Sequence, residues 1–509
     1  MTKSDPVSGS PGIDVKPGLG VLLATCISAL VVNANTSAVS ILLPSIGEDV
    51  GAPVSTLQWA VTGYSLVGAA FIVTAGALGD VFGRRRIFLG GLALFIVSCA
   101  LIAMTDTAAG VIGGRAIQGA AGSTILACGL SLLTVASSGA ERLRAVSYWG
   151  AASAIGAAAG PLVGGVLVDT AGWQALFWID AAIAAVCVPL TRRRVEESLD
   201  PNRSRSIDWL GTFLVAAILA PFILAVSKGS EWGWTSPATL GSFLVSIVAA
   251  IAFVYVERRS TSPLVDLNLM KNRALIGATL GILIGAGTIN GLMFVFSLYF
   301  QDPSTLGMTA LQAGLATLPA TVGLVILAPL VPRFATKMGT RQVVGLGFIT
   351  MTVGFAVLIG ISASWQYAAF VLPLVAVAAG MALSNGPCSS VATSAVPEEQ
   401  VGSASGISNM ARYVGAAVWT AVVATLYSSV SADRIAAGAS TGEGLADAVG
   451  AAALFLTITS AAGIFLAWLA GRHRPPAPMA VDYAAAATAS SHTLPTPHPS
   501  SAERVRAGT

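Results

Sequence analysis

The 509-residue chain is poor in charged residues, in histidine and in cysteine. Charged side chains make up only 10% of it, against about 25% in soluble domains, and the mean hydropathy of +0.78 indicates a membrane protein. All three histidines lie beyond residue 472, and the five cysteines stand singly in apolar segments without metal or disulfide spacing. No Gly-Lys pair of a phosphate-binding loop occurs. We therefore expect no metal, no other cofactor and no ATP coupling within this chain.

Apolar runs that are long enough to cross a bilayer recur along the chain. A spanning helix needs about 20 mostly apolar residues, and the chain has fourteen such segments. The polar start (1–18) and the Ala-, Pro-, Ser- and Thr-rich end (471–509) are expected to be disordered, and the first span, without a cleavage site, to be retained. The predicted spans are 19–43, 55–78, 86–104, 109–136, 144–168, 173–190, 208–227, 236–256, 274–300, 310–331, 341–361, 366–395, 403–429 and 445–470.

Basic residues are distributed very unequally between alternate loops. If the N-terminus is cytoplasmic, 23 of the 27 Lys and Arg residues fall in cytoplasmic segments, and only Lys228 and Arg434 fall in the opposite loops. Arg115 and Arg412 remain inside spans. Because Lys and Arg are retained on the cytoplasmic side, this bias predicts that both termini are cytoplasmic in a multi-pass protein of a bacterial cytoplasmic membrane.

The short connection between spans two and three concentrates charge and glycine. It reads GALGDVFGRRR. Its glycines let two helix ends approach closely, and its acid can pair with its arginines as a latch that opens and closes when helices rock. A solvated basic loop that merely obeys charge topology is the alternative. The stretch resembles the loop signature G-x-L-x-D-x-x-G-R-R-R of the major facilitator superfamily of transporters, through Gly76, Leu78, Asp80, Gly83, Arg84, Arg85 and Arg86.

Further stretches resemble the fourteen-span drug:proton antiporter branch of that superfamily. Span four carries an R-x-x-Q-G pattern in Arg115, Gln118 and Gly119, and Leu43-Pro44 closes span one. The segment Asp208-Trp209-Leu210-Gly211 is also similar to that branch. Span five resembles the antiporter motif G-x-x-x-G-P-x-x-G-G, although Ser147 replaces a more distant glycine; the matching positions are Gly156, Gly160, Pro161, Gly164 and Gly165.

The span-five stretch also has a physical interpretation of its own. Gly156, Gly160 and Gly164 are four residues apart and share one helix face, which permits close helix contact. Pro161 removes a backbone donor and bends the helix. A kinked, closely packed helix of this kind could seal or hinge one side of a cavity. Ordinary small-residue packing is the alternative.

The resemblance implies the major facilitator fold, an all-α polytopic membrane protein of 14 transmembrane helices. Two six-helix bundles, 19–190 and 274–470, would flank cytoplasmic linkers and an inserted two-helix hairpin within 191–273. The substrate would bind near the midplane between the bundles. The stretch Met338-Gly339-Thr340-Arg341 echoes Phe82-Gly83-Arg84-Arg85 at the corresponding place in the second half.

Coupling to protons or ions is the remaining expectation, and a buried carboxylate is its usual carrier. Relatives of this branch commonly hold an Asp eight residues before the Leu-Pro pair, where this chain has Asn35, which cannot titrate. The only acid well inside a span is Asp180, where relatives typically carry Asn. At 1.5 Å rise per residue, Asn35, Arg115 and Asp180 all lie roughly 9–12 Å below the outer face.

This common depth motivates the hypothesis that Arg115 faces the cavity and pairs with Asn35 and Asp180, with Asp180 as a relocated proton carrier. Gln118 and Gly119 belong to the same predicted site. The alternatives are that Asp180 forms a local hydrogen bond on a peripheral helix and that Arg115 is a packing residue. Arg412 in span thirteen is either a tether between helices or a cavity residue.

Amide and aromatic side chains on the presumed cavity spans suit a large amphipathic substrate through stacking and sparse hydrogen bonds. So few acids lie in the spans that neutral or weakly charged compounds are favoured over dications. Each such residue could instead serve packing. The candidates, besides Gln118, are Asn33, Asn290, Phe294, Tyr299 and Asn385.

The sequence therefore predicts a non-enzymatic, monomeric exporter of drugs or lipophilic metabolites that works by alternating access and proton antiport, without a nucleic-acid partner. A facilitator or differently coupled metabolite exporter of the same fold is the alternative, because the usual first-span Asp is Asn35. A membrane enzyme is disfavoured, because no span or loop clusters His, Asp and Glu to activate water or a metal.

Overall fold

The computed structural model describes residues 17–137, 139–198, 207–260, 263–327, 330–397 and 400–470. The predicted disordered end, 471–509, and residues 1–16 of the predicted disordered start lie outside them, whereas Pro17 and Gly18 begin the first helix. The described chain is helical and contains no strand; its α-helices are α1 (Pro17–Val50), α2 (Val54–Phe82), α3 (Arg84–Met104), α4 (Ala108–Val135), α5 (Gly139–Ala171), α6 (Gln174–Arg194), α7 (Trp209–Trp232), α8 (Pro237–Glu257), α9 (Arg273–Gln301), α10 (Ala310–Leu327), α11 (Val331–Met338), α12 (Thr340–Ile359), α13 (Ala368–Ser394), α14 (Val401–Ala436) and α15 (Thr441–Ala470).

Thirteen of these helices are long and apolar enough to cross a membrane, and they match thirteen of the fourteen predicted spans. The remaining predicted span, 310–331, corresponds to the 18-residue helix α10, which is followed by the short helix α11. The predicted all-α, polytopic fold class is confirmed.

Helix α1 shows how a proline can lie inside a spanning helix. The first span was predicted to end at residue 43, which was wrong for the helix, since α1 continues through Pro44 to Val50. Proline has no N–H and cannot donate to the carbonyl four residues earlier, that of Ser40. In the structure the Ser40 carbonyl accepts a hydrogen bond from the Ser297 hydroxyl of α9 instead. The next carbonyl, of Ile41, accepts from Gln301 Nε2 at 3.2 Å. Because of the proline, the Ser40 carbonyl has no donor within its own helix, and it accepts the hydrogen bond that joins α1 to α9.

Two glycines form equivalent joints between consecutive helices. Gly83 separates α2 from α3 with φ +108°, and Gly339 separates α11 from α12 with φ +89°. These are backbone conformations that L side chains rarely adopt. The weak sequence echo between the two stretches therefore has a structural counterpart.

The helices pack in two groups that meet through a small number of helix pairs. In the first group α1 packs on α4, α5 and α6, α2 on α4, and α3 on α4 and α6. In the second, α9 packs on α13, α14 and α15, and α12 on α13 and α15. The groups meet where α2 packs on α14, α5 on α10 and α1 on α9. Helices α7 and α8 form a hairpin whose α7 lies against both α2 and α14.

Candidate functional site

A cavity of about 890 Å³ lies between the two helix groups. It is lined from the level of Asn33 and Thr36 on α1 to the ends of α2, α4 and α13, so it extends to the face that carries the Gly83 joint, here called the motif face. A smaller cavity, of about 580 Å³, lies at the opposite or far face and is lined from Pro44 on α1. Between the two cavities, α1 contacts α9 through the Ser40–Ser297 hydrogen bond.

The wall of the larger cavity combines amides, aromatic rings and a partly buried guanidinium. Of the residues predicted to contact substrate, Asn33 and Asn290 line it. Arg412 of α14 also lines it, and its Nη1 donates to Asn385 Oδ1 of α13 at 2.8 Å. Arg412 is thus both a tether between helices and a cavity residue, which unites the two alternatives drawn from the sequence.

Three predicted substrate contacts lie elsewhere. Phe294 lines the smaller, far-face cavity. Tyr299 is 1% exposed, and its ring packs 5.9 Å from that of Phe370, so it does not line the larger cavity in this conformation. Asn385 stands behind Arg412 and does not line the cavity itself. Phe294 and Tyr299 both lie on α9, which is apolar on nearly every side. The sequence therefore did not indicate which side of this helix faces the substrate.

Asn35, Arg115 and Asp180 meet in one buried cluster formed by α1, α4 and α6. Arg115 Nη1 donates to Asn35 Oδ1 at 2.6 Å, and Asn35 Nδ2 donates to Asp180 Oδ2 at 2.7 Å. Asn35 and Arg115 are fully buried and Asp180 is 4% exposed. The Asn35 amide therefore bridges a guanidinium and a carboxylate, each of which is expensive to bury alone.

The rest of the guanidinium is held by α2 and by its own helix. Arg115 Nε donates to the Ala60 carbonyl at 3.1 Å, and Nη1 also donates to Gln118 Oε1. Arg115 Cζ lies 4.2 Å from the centre of the Tyr64 ring, a cation–π contact. Gly119 allows this arrangement, because a Cβ there would overlap the Tyr64 carbonyl.

None of the five residues predicted to form the cavity and coupling site lines the larger cavity in this conformation. They are Asn35, Arg115, Gln118, Gly119 and Asp180. The hypothesis that Arg115 faces the cavity is therefore wrong for this state. The reason is the rotation of α4, which packs on α2 and α3 and turns its guanidinium toward Ala60 and Asn35.

Two tyrosines connect this cluster to the cavity and to the second helix group. The Tyr64 ring centre on α2 lies 6.3 Å from that of Tyr413 on α14. Tyr413 lines the cavity, and its ring packs on α2, because a Cβ on Gly68 would lie 2.6 Å from it. The contact chain runs from Asp180 through Asn35, Arg115 and Tyr64 to Tyr413. Sequence analysis had not identified Tyr413 at all.

The loop motif at the motif face is held by a residue that the sequence analysis also missed. Asp80 and Arg84 form an ion pair, with Arg84 Nε 2.9 Å from Asp80 Oδ1. Arg85 donates its backbone N–H to Glu197 Oε1 at 2.9 Å, and the Nε atoms of Arg85 and Arg86 lie 3.8 and 3.7 Å from Glu197 Oε2. Glu197 follows α6 in a polar linker, where an acid gives no distinct signal. Gly76 of the same motif lines the cavity.

The span-five glycines make α5 the closest neighbour of α1. A Cβ at Gly156 would overlap the Leu30 carbonyl, and one at Gly160 would overlap Ser37 and Ala34. The last part of the motif turns to the other helix group: a Cβ at Gly165 would lie 2.6 Å from the Ala310 carbonyl of α10. On the α10 side, a Cβ at Gly314 would overlap the Pro161 carbonyl. Gly164 packs against Ala38, and the side chain of Ser147 lies outside the described residues.

Comparison with known proteins agrees with this architecture. A sequence profile described as Major Facilitator Superfamily matches residues 25–420. The chain is 31% identical to the multidrug resistance protein Stp of Mycobacterium tuberculosis over 406 residues, which cover 80% of this chain and 75% of that protein. It is 30% identical to the multidrug efflux pump LfrA of Mycolicibacterium smegmatis, over 83% of this chain and 84% of that protein. It is also 31% identical to the tetracenomycin C resistance and export protein of Streptomyces glaucescens, over 80% and 76%.

Solved structures resemble the fold at low sequence identity. An auto-inhibited POT family peptide transporter matches 91% of this chain and 98% of its own, with a TM-score of 0.66 and 14% identity. The human organic anion transporter MFSD10 matches 89% and 100%, with a TM-score of 0.59 and 16% identity. At these identities the likeness concerns the fold alone.

Proposed function

Since this chain belongs to the major facilitator superfamily, a family of non-enzymatic membrane transporters, we propose that it exports drugs or lipophilic metabolites from a bacterial cell by proton antiport. The relatives that match most of its length are named for multidrug resistance, multidrug efflux and tetracenomycin C resistance and export. The proposal carries this general activity over to the chain and assigns its steps to particular residues.

The observation that carries the proposal is the asymmetric cavity. The cavity of about 890 Å³ between the helix groups extends to the motif face. Between this cavity and the far face, α1 and α9 are in contact. A transporter that works by alternating access needs such a cavity, open to one side at a time. Opening the far face would require the Ser40–Ser297 and Ile41–Gln301 hydrogen bonds to break and the motif face to close.

The motif face is proposed to be cytoplasmic. Arg84, Arg85 and Arg86 lie there, and the run Arg192 to Arg194 ends α6 at the same face. Positive side chains of short loops remain on the cytoplasmic side of bacterial membranes. The conformation described is then the inward-open one, which loads substrate from the cytoplasm or the inner leaflet.

The substrate is proposed to be a large, mostly apolar molecule with hydrogen-bond acceptors. The cavity presents the aromatic rings of Trp149 and Tyr413, the amides of Asn33 and Asn290, and the guanidinium of Arg412. Aromatic rings stack on flat ligands, and a guanidinium donates to carbonyl, phenolate or carboxylate oxygens. Neutral or weakly acidic compounds fit this wall better than dications do.

Proton coupling is proposed to run through Asp180. It is the one carboxylate of the buried cluster, and its neighbour Asn35 can donate to it in either protonation state. When Asp180 is ionised, the cluster holds one negative and one positive charge bridged by Asn35; when it is protonated, Arg115 loses its balancing charge. Tyr64 and Tyr413 would pass this change to α14, because they connect the cluster with the cavity wall.

The test uses everted membrane vesicles and a panel of fluorescent lipophilic compounds, with and without an imposed pH gradient. The proposal expects accumulation that depends on the gradient and proton release when substrate is added. A facilitator, the alternative raised by Asn35, would still equilibrate the compounds after the gradient is collapsed. The variant Asp180→Asn removes the proposed proton carrier. Its matched control is Asp169→Asn, which changes an exposed acid on α5.

A further inference from the structure

Two carboxylates, one nearly fully buried and one half-buried, meet where the inserted hairpin joins the mouth of the larger cavity. Asp208 precedes α7 and Glu257 ends α8. A Cβ placed on Gly211 would lie 2.7 Å from Asp208 Oδ2 and 2.9 Å from Glu257 Oε1. Both oxygens therefore approach the same point on α7, in the first turn of the helix.

Each of these two oxygens is buried and lacks a hydrogen-bond partner among the described residues. They are Asp208 Oδ2 and Glu257 Oε1, and Glu257 as a whole is only 4% exposed. The second oxygen of each carboxylate is engaged: Asp208 Oδ1 accepts from the Gly211 N–H at 2.6 Å, and Glu257 Oε2 accepts from the Val265 N–H at 3.4 Å. The backbone thus holds one oxygen of each acid and leaves the other two beside the same glycine.

Within the part of the chain that the structure describes, no Lys or Arg nitrogen lies within 4 Å of a carboxylate oxygen of either acid. Arg258 and Arg259 follow Glu257 but are exposed, and the Arg259 guanidinium lies 4.2 Å over the Tyr255 ring. At the end of α2, Asp80 lines the same cavity and is paired with Arg84 of α3. Two adjacent carboxylates in a low-dielectric site cannot both stay ionised without a compensating charge.

We propose that Asp208 and Glu257 bind one proton between them, forming a second protonation site that is separate from Asp180. The O–H of one carboxyl donates to the unpartnered oxygen of the other, which satisfies both orphaned atoms at once. When the proton leaves, it passes to water in the cavity by way of Asp208, which lines the cavity wall. No other atom or electron changes place.

The position of the pair connects its charge to the mouth of the cavity. Thr212, one residue after Gly211, is hydrogen-bonded to Thr74 of α2, and Thr74 lines the cavity. Further along α7, the Val226 carbonyl accepts from Thr425 of α14 at 3.2 Å. Helix α7 contacts both helix groups, through α2 and α14. Repulsion between two ionised carboxylates at the start of α7 would therefore act on the contact between α2 and α14.

Infrared spectroscopy of the purified protein tests the shared proton without requiring transport. The variants are Asp208→Asn and Glu257→Gln, with Glu231→Gln as control, an exposed acid at the other end of α7 that is paired with Lys228. In either variant the new amide N–H₂ supplies the hydrogen that the shared proton supplies in the wild type, so the remaining acid ionises. We expect each single variant to lose the absorption of one protonated carboxyl, and the double variant to lose one as well. Unchanged absorption in both singles, or a loss of two in the double, overturns the proposal.

Thermal unfolding as a function of pH gives a second measurement. The wild type should lose stability between mildly acidic and alkaline pH, where the pair gives up its proton and two charges repel. Asp208→Asn should not show this loss. A wild type and an Asp208→Asn variant with the same pH profile would contradict a shared proton, even if Glu257→Gln did not fold.

Discussion

Exchanging the acid and the amide of the buried cluster tests whether Asp180 is a relocated proton carrier. In Asp180→Asn the side-chain shape and the hydrogen bond to Asn35 can persist, but Arg115, which is fully buried, loses the one carboxylate of its cluster. Leaving a buried charge without its partner costs about 3–5 kcal/mol. We therefore expect a clear drop in thermal stability and loss of gradient-driven transport.

The double variant Asn35→Asp, Asp180→Asn returns the acid to α1. The carboxylate introduced on α1 would place an oxygen where the Asn35 amide oxygen already accepts from Arg115 Nη1 at 2.6 Å. The amide introduced on α6 would then donate to the other oxygen of that carboxylate, which reverses the present hydrogen bond between α1 and α6. One negative and one positive charge are again held in the same layer. We expect most of the lost stability and much of the pH-driven transport to return.

The assay is substrate-induced proton release in proteoliposomes, measured beside the unfolding temperature. Asp169→Asn controls for the loss of an acid at an exposed position of a spanning helix. Unchanged proton release in Asp180→Asn would remove this residue from the mechanism. A double variant that regains stability but not proton release would mean that the cluster is structural, and that another group carries the proton.

Three further substitutions test contacts between helices, and two of them have a matched control on the same helix. Gly160→Ala should destabilise the protein by about 1–3 kcal/mol in thermal unfolding, since its Cβ would overlap α1, whereas Gly150→Ala on the same helix meets nothing within 4 Å and should be neutral or stabilising. Gly68→Ala should slow vesicle transport severalfold by displacing the Tyr413 ring, whereas Gly63→Ala, also on α2 and with open space, should not. Glu197→Gln should weaken the contacts of Arg85 and Arg86 with this side chain by about 1 kcal/mol. The measurement is the labelling rate of a cysteine placed in the cavity, which should change roughly fivefold.

The helices themselves could be predicted well from the sequence, because each long apolar run is a helix in a membrane protein. The exceptions have specific causes. Helix α1 passes Pro44 because Ser297 and Gln301 satisfy the carbonyls around it, and those partners are more than 250 residues away. The tenth predicted span, 310–331, matches α10 only as far as Leu327, and the sequence signal there was simply continuous hydrophobicity.

The depth of the buried cluster in the membrane was predictable, but the side of α4 on which Arg115 lies was not. Counting 1.5 Å per residue from the helix ends assigned Asn35, Arg115 and Asp180 to one layer, and the three do touch. Rotation about the helix axis needs an amphipathic pattern, and α4 is apolar nearly all round, so nothing indicated that Arg115 turns toward α2 and away from the cavity.

The same argument explains why the Asp208–Glu257 pair escaped sequence analysis although the segment that begins with Asp208 was noticed. Both acids stand at helix ends, where a charged residue is normally solvated and carries little information. Only the hairpin, which returns α8 to the start of α7, brings them to the same glycine and buries their facing oxygens. A chain with few acids inside its spans can thus still bury acids, by closing a hairpin over residues that lie at the ends of spans. Among the described residues, the mid-span Asp180 is therefore not the only nearly buried acid, since Glu257 at the end of α8 is buried to the same extent.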